Sequence, residues 1–100
     1  MVVFWEDENG IKLDKFSNSF NPWDYISSES EFDGTCCLRF IDEWQDTTFN
    51  TLQIPTLIGE LESLLPKSKD EAAKERLESL VEFIRKADGQ IHTYIKFFGN

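Results

Sequence analysis

Few side chains in this sequence have the types and spacing that catalysis or metal binding requires. His92 is the single histidine, and it lies on the polar side of a predicted strand. Cys36 and Cys37 are adjacent, which favours neither a disulfide nor a zinc site. We interpret both as packing residues, with a redox-active pair as the alternative. The common nucleophile, phosphate-binding and zinc motifs are absent. The sequence therefore predicts a protein that is not an enzyme and uses no metal ion or cofactor.

An acidic turn is predicted at residues 42–46, where Asp42, Glu43 and Asp46 surround Trp44. These carboxylates suggest a cation site, but the alternating ligands, central glycine and closing glutamate of a calcium loop are missing. We favour a solvated turn, and we retain it as a possible surface for a protein partner.

A second group of candidate residues lies in the long connection at residues 17–34, where aromatic and acidic side chains are interleaved. Aromatic side chains often anchor the centres of interfaces, and carboxylates around them attract a basic partner. The alternative is that the aromatics fold back over the edge of the sheet while the acids are merely solvated. The candidate partner-binding residues of both segments are Trp23, Asp24, Tyr25, Glu29, Glu31, Asp33, Asp42, Glu43, Trp44 and Asp46.

The charge of the chain is negative and unevenly distributed. The net charge is −9, and residues 1–50 carry −8 of it, since eleven acids there face only Lys12, Lys15 and Arg39. Such an excess repels phosphate backbones and anionic lipid, so we expect neither nucleic acid nor a membrane as partner. A basic protein partner suits this charge, and the alternative is that the acids serve only solubility.

The length of 100 residues predicts a single domain spanning residues 1–100. The sequence shows no long apolar run and no signal peptide, so we expect a bacterial cytoplasmic protein. Asn9-Gly10 predicts a β-hairpin between residues 2–5 and 11–16. Residues 35–41 and 47–50 are β-rich and predict a second hairpin.

Two helices and a last strand complete the predicted elements. The apolar spacing predicts helices over residues 55–65 and 69–87, with Ser68 and Glu71 as a capping box and Gly89 as the stop. Residues 90–98 predict a strand with Ile91, Ile95 and Phe97 on its buried face. The expected fold is α+β, a mostly antiparallel sheet of two hairpins and a C-terminal strand packed against an antiparallel helical pair.

Some segments carry a resemblance to known proteins. Residues 38–42, residues 46–53, Glu60-Leu61 and residues 94–100 resemble a group of small bacterial proteins, several of which are similar to immunity proteins of toxin–immunity pairs. The resemblance covers residues 35–100 and implies a protein that neutralises a toxin delivered between competing cells. Because immunity families differ in fold and in binding face, it implies no particular binding residue.

These observations give one leading hypothesis and two alternatives. The leading one is an immunity-type protein that neutralises a basic toxin, for which a nuclease fits the charge, by acidic and aromatic contacts. The alternatives are a regulatory interaction module without a toxin partner, and a small enzyme that uses scattered carboxylates.

Overall fold

The computed structural model describes residues 1–99, which form a four-stranded antiparallel sheet and two α-helices. The strands lie in the order β2-β1-β4-β3. This arrangement confirms the predicted α+β class. The strands are β1 (Val2–Asp7), β2 (Lys12–Lys15), β3 (Thr47–Phe49) and β4 (Thr93–Phe98), and the helices are α1 (Ile54–Glu62) and α2 (Glu71–Arg85).

The first hairpin is confirmed, since β1 and β2 pair around the predicted turn. Gly10 has a φ of +78°, which a residue with a side chain rarely adopts. The carboxylate of Asp7 accepts the backbone N–H groups of Asn9 and Ile11, both at 2.9 Å. The turn therefore has the local chemistry that its sequence indicates.

The prediction of a second hairpin from residues 35–41 and 47–50 is wrong. Residues 35–41 form no strand and instead run through a bend into a 3-10 helix at Leu38–Phe40. β3 exists but pairs with β4 at the far edge of the sheet. The reason is a long-range contact: the carboxylate of Glu60 on α1 accepts the backbone N–H groups of residues 36–38. Those donors are consequently not available to a strand partner.

Helix α2 has the predicted buried stripe, whose members are Ala73, Leu77, Leu80, Val81 and Ile84. Its predicted capping box is wrong, however. The side chain of Asp70 accepts the backbone N–H of Ala73 at 2.8 Å and caps the helix. The Ser68 hydroxyl instead donates to the carbonyl of Leu65 at 2.8 Å. The backbone N–H of Lys69, just before α2, donates to the carbonyl of Asp24. Because Lys69 is held in this contact, the helix begins after it and not at residue 69 as predicted.

Strand β4 begins later than predicted. Ile95 and Phe97 are fully buried as expected, but Ile91 lies before the strand and is 72% exposed. His92 has a φ of 61°, in the left-handed region. Because that conformation breaks strand alternation, the buried face starts only after it.

One cluster of buried side chains joins the sheet to both helices and to residues 16–41. The sheet contributes Val3, Phe49, Ile95 and Phe97 from one of its faces. Both helices pack on that face, and within residues 1–99 no helix covers the opposite one. Within residues 1–99, no helix has the length and apolar character that a bilayer span requires.

Candidate partner-binding cleft

Most aromatic side chains of the long connection point into the protein. Phe20, Tyr25 and Phe32 are buried, and the ring of Phe20 stacks on that of Tyr25 at 5.7 Å between centroids. Phe20 also meets Phe97 of β4 edge to face at 5.6 Å. Trp23, by contrast, is 42% exposed. Three of the four aromatics thus fold into the core, where Phe20 contacts the sheet, and Trp23 remains at the surface.

Asp24 and Tyr25 fasten this connection to the start of α2. The carboxylate of Asp24 lies 2.8 Å from the ammonium of Lys69 and 3.0 Å from the guanidinium of Arg76. The hydroxyl of Tyr25 donates to the carbonyl of Ala73 at 2.8 Å. Both side chains are only 5% exposed, so they hold the connection in place and do not reach a partner.

The pKa values of these two groups are shifted in opposite directions. Burial by itself raises the pKa of Asp24, but the hydrogen bonds from Lys69 and Arg76 outweigh burial and bring that pKa below its usual range. Burial raises the pKa of Tyr25 to about 12, and the nearby charge of Asp24 adds to this effect. At neutral pH the carboxylate is therefore ionised and the phenol is neutral.

The lowered pKa of Asp24 predicts an acid-sensitive contribution to stability. This contribution is complete above the unfolded-state pKa of about 3.9 and is lost as the pH falls through the lower folded-state pKa. We expect Asp24→Asn to be less stable than the parent at neutral pH and to lose less of its stability at about pH 3, as measured by urea unfolding. The variant keeps some acid sensitivity because the hydrogen bond from Lys86 lowers the pKa of Asp14.

Asp33→Asn is the matched control, since Asp33 is exposed and forms no ion pair with another described residue. Its unfolding curves should follow those of the parent at both pH values. Identical pH profiles for Asp24→Asn and the parent would show that this ion pair contributes nothing to folding.

A cleft of about 120 Å³ lies between the long connection and residues 39–43. Its floor is apolar and consists of Pro22, Ile26, Phe32 and Ile41, all of them buried. Four predicted site residues meet at its walls although they come from distant segments. These four are Trp23, Glu29, Asp42 and Glu43.

The carboxylates of the cleft form no close ion pair within the described residues, although Glu43 lies near enough to the N-terminal ammonium to oppose the lowering of the pKa of that ammonium by burial. No basic group within residues 1–99 comes within 4 Å of the carboxylates of Glu29, Asp42 or Glu43. Arg39 is the one base that lines the cleft, and its guanidinium lies over the ring of Phe40 at 4.7 Å. The cleft therefore combines an apolar floor with carboxylates that have no ion-pair partner within 4 Å in the described part of the chain.

The other predicted site residues lie outside the cleft lining. Glu31 accepts hydrogen bonds from the backbone and hydroxyl of Ser27, and the backbone bond is the main cause of its lowered pKa. Asp46 accepts the backbone N–H of Gly99 at 3.0 Å and lies 3.4 Å from the ammonium of Lys96. Glu31 thus stabilises its own segment, whereas Asp46 connects its turn to the C-terminal end of β4. Trp44 is 68% exposed, and its backbone N–H donates to the carboxylate of Asp42 at 2.9 Å, which orders the turn beside the cleft.

Sequence reasoning missed two parts of the site. Arg39 and Ile41 were placed on a predicted strand, and nothing in their local pattern indicates a cleft. Glu60 was also missed, although its carboxylate accepts the N–H groups of Cys36, Cys37 and Leu38 at 2.6, 2.9 and 3.0 Å. A single acid on a helix gives no sequence signal for such a contact. The thiol of Cys37 is buried, which raises its pKa, and Cys37 packs as predicted. The same prediction is wrong for Cys36, which is exposed.

Removing the Glu60 carboxylate is expected to loosen one wall of the cleft. Glu60→Ala leaves three backbone donors without their acceptor, and we expect the free energy of unfolding to fall by about 1 to 3 kcal/mol. Chemical denaturation measures the loss. Glu62→Ala is the control, because Glu62 on the same helix forms only an exposed ion pair with Arg85. Equal, small losses in the two variants would contradict the positioning role of Glu60.

Within the described residues, no group of three or more histidine, cysteine, aspartate or glutamate side chains is arranged to hold a metal ion. Comparison of the chain with protein-family models, with curated proteins and with solved structures found no match.

Proposed function

We propose that this chain is an immunity-type binding protein that neutralises a basic bacterial toxin through the cleft and the exposed aromatic residues beside it. The observation that carries the proposal is the meeting of Trp23 and Glu29 with Asp42 and Glu43 around an apolar floor. These residues come from two segments of the strongly acidic first half of the chain.

The chemistry of the cleft suits a basic side chain of a partner protein. The apolar floor matches the aliphatic stem of lysine or arginine, and the free carboxylates match its charged end. Trp23 stands at the cleft as a large, partly exposed anchor, the residue type that dominates interface energetics. An inhibitor bound in this way covers a basic surface of the toxin and blocks access to it.

The experiment begins with a search for a toxin domain encoded by a neighbouring gene, and that domain is then used as the partner. We expect co-expression of this chain to restore growth of cells that produce the toxin. Surface plasmon resonance should show association that slows as the salt concentration rises, while dissociation changes less. Charge reversal of Glu29, Asp42 and Glu43 to lysine should slow association. Trp23→Ala should instead speed dissociation, weakening binding by about 1 to 3 kcal/mol.

The matched control reverses three acids that do not line the cleft, namely Glu75, Glu78 and Asp88. This control has the same net charge as the cleft variant. It therefore distinguishes an effect of the cleft carboxylates from an effect of the total charge of the protein on association. Circular dichroism of each variant should match that of the parent. Equal binding by the cleft variant, the Trp23 variant and the parent would place the binding face elsewhere, and absence of toxin protection would leave the regulatory module as the better reading.

A further inference from the structure

The open face of the sheet has a different character from the rest of this acidic protein. Directly paired strand residues project from the same face, and Phe4 pairs with Lys96 on one side and with Lys15 on the other. In the same way, Glu6 pairs with Lys12 and Tyr94. We call this surface the lysine face. It carries Lys12, Lys15, Lys96, Phe4, Tyr94 and Phe98, with Glu6 among them.

The lysines of this face lie beside an aromatic pair. The rings of Phe4 and Phe98 meet edge to face at 6.4 Å between centroids. The ammonium of Lys12 lies 4.7 Å from the Phe4 centroid, and that of Lys96 lies 5.6 Å from the Phe98 centroid. Phe98 is nevertheless 44% exposed. The lysine face thus has ammonium groups next to the solvent-exposed part of the Phe98 ring.

The charge of the lysine face is opposite to that of the whole chain. Three of the ten basic residues lie on it, although the net charge of the chain is −9. Glu6 and Asp46 are the carboxylates within 4 Å of these lysines among the described residues, and the Glu6 side chain is only 10% exposed. Lys15 has no carboxylate within that distance in residues 1–99. A ligand that approaches this face therefore meets mainly positive groups.

We propose that the lysine face is a second docking surface, which binds a short acidic segment of a protein partner. Carboxylates of that segment pair with Lys12, Lys15 and Lys96, and one of its apolar side chains packs on the exposed part of Phe98. The surface is independent of the cleft, and it takes a partner of opposite charge.

An acidic peptide suits this face better than a nucleic acid strand. Strand binding relies on bases stacked on free aromatic faces, and here lysine ammonium groups lie over the rings of Phe4 and Phe98. A long polyanion also meets the repulsion of the whole acidic chain, which a short segment experiences less.

The test uses the intact chain and a fluorescein-labelled peptide of alternating glutamate and leucine. We expect saturable binding in fluorescence anisotropy with a Kd below about 1 mM. In ¹⁵N spectra, the shifted amide signals should belong to β1, β2 and β4 and not to the cleft. The double variant Lys12→Gln, Lys15→Gln should bind about five- to tenfold more weakly.

Two controls make the result specific. The double variant Lys67→Gln, Lys74→Gln removes the same charge from exposed lysines outside the face, and its affinity should change less than about twofold. A peptide with lysine in place of glutamate should not bind. Absence of saturable binding, equal weakening by both double variants, or displacement of the peptide by oligothymidylate at lower concentration would each overturn the proposal, the last in favour of nucleic acid.

Discussion

Replacing Phe97 with alanine is expected to lower the free energy of unfolding by about 3 to 5 kcal/mol, the largest effect of any substitution considered. Phe97 is fully buried on β4, and its ring meets those of Phe20 and Phe49 edge to face at 5.6 and 5.9 Å. Its loss leaves a cavity between the centre of the sheet and the long connection. Because Phe20 also stacks on Tyr25, the cavity should loosen the segment that carries Trp23.

The adjacent residue supplies the control for this prediction. Phe98 belongs to the same strand but lies on the open face and is 44% exposed. Phe98→Ala should therefore cost less than about 1 kcal/mol in the same urea titration. Similar losses in the two variants would mean that the inward and outward faces of β4 are not distinguished in the way the register indicates.

Leu77→Ala and Leu80→Ala are each expected to destabilise the protein by about 2 to 4 kcal/mol. Both side chains are 1% exposed on the stripe by which α2 packs into the core. Truncation removes buried apolar surface and leaves a cavity that the surrounding helices and sheet fill only in part. Thermal or chemical unfolding of the two variants measures the loss.

Glu78→Ala is the comparison for these two variants, since Glu78 lies between them on the exposed side of α2. It should change stability by less than about 0.5 kcal/mol. If both leucine variants also lose less than that, α2 is rotated relative to the core in solution.

Sequence information determined the elements whose causes are local. The turn at Gly10 follows from the conformational freedom of glycine and the hydrogen-bonding capacity of Asp7, so the first hairpin was predictable. The buried stripe of α2 follows from the helical period, which requires no knowledge of what covers it. The apolar alternation of β4 gave Ile95 and Phe97 as core residues for the same reason.

Contacts between distant segments decided the rest of the fold. Residues 35–41 have the composition of a strand. The carboxylate of Glu60 nevertheless accepts backbone N–H groups of this segment, and the segment forms a 3-10 helix in place of a strand. Helix α2 starts at Glu71 with Asp70 as its cap, because the backbone of the preceding Lys69 is bonded to the long connection. Partners more than twenty residues away leave no periodic signal in either segment.

The candidate site divides in the same way. Its ingredients were evident from the sequence alone, because the aromatic and acidic residues of two segments and the negative charge of the first half are matters of composition. Only the tertiary structure separated their roles, burying Asp24 and Tyr25 against α2 and bringing Trp23 and Glu29 to Asp42 and Glu43. In the sequence, an acidic residue that forms an internal ion pair cannot be distinguished from one that faces a cleft. The difference arises from which bases the folded chain places within reach.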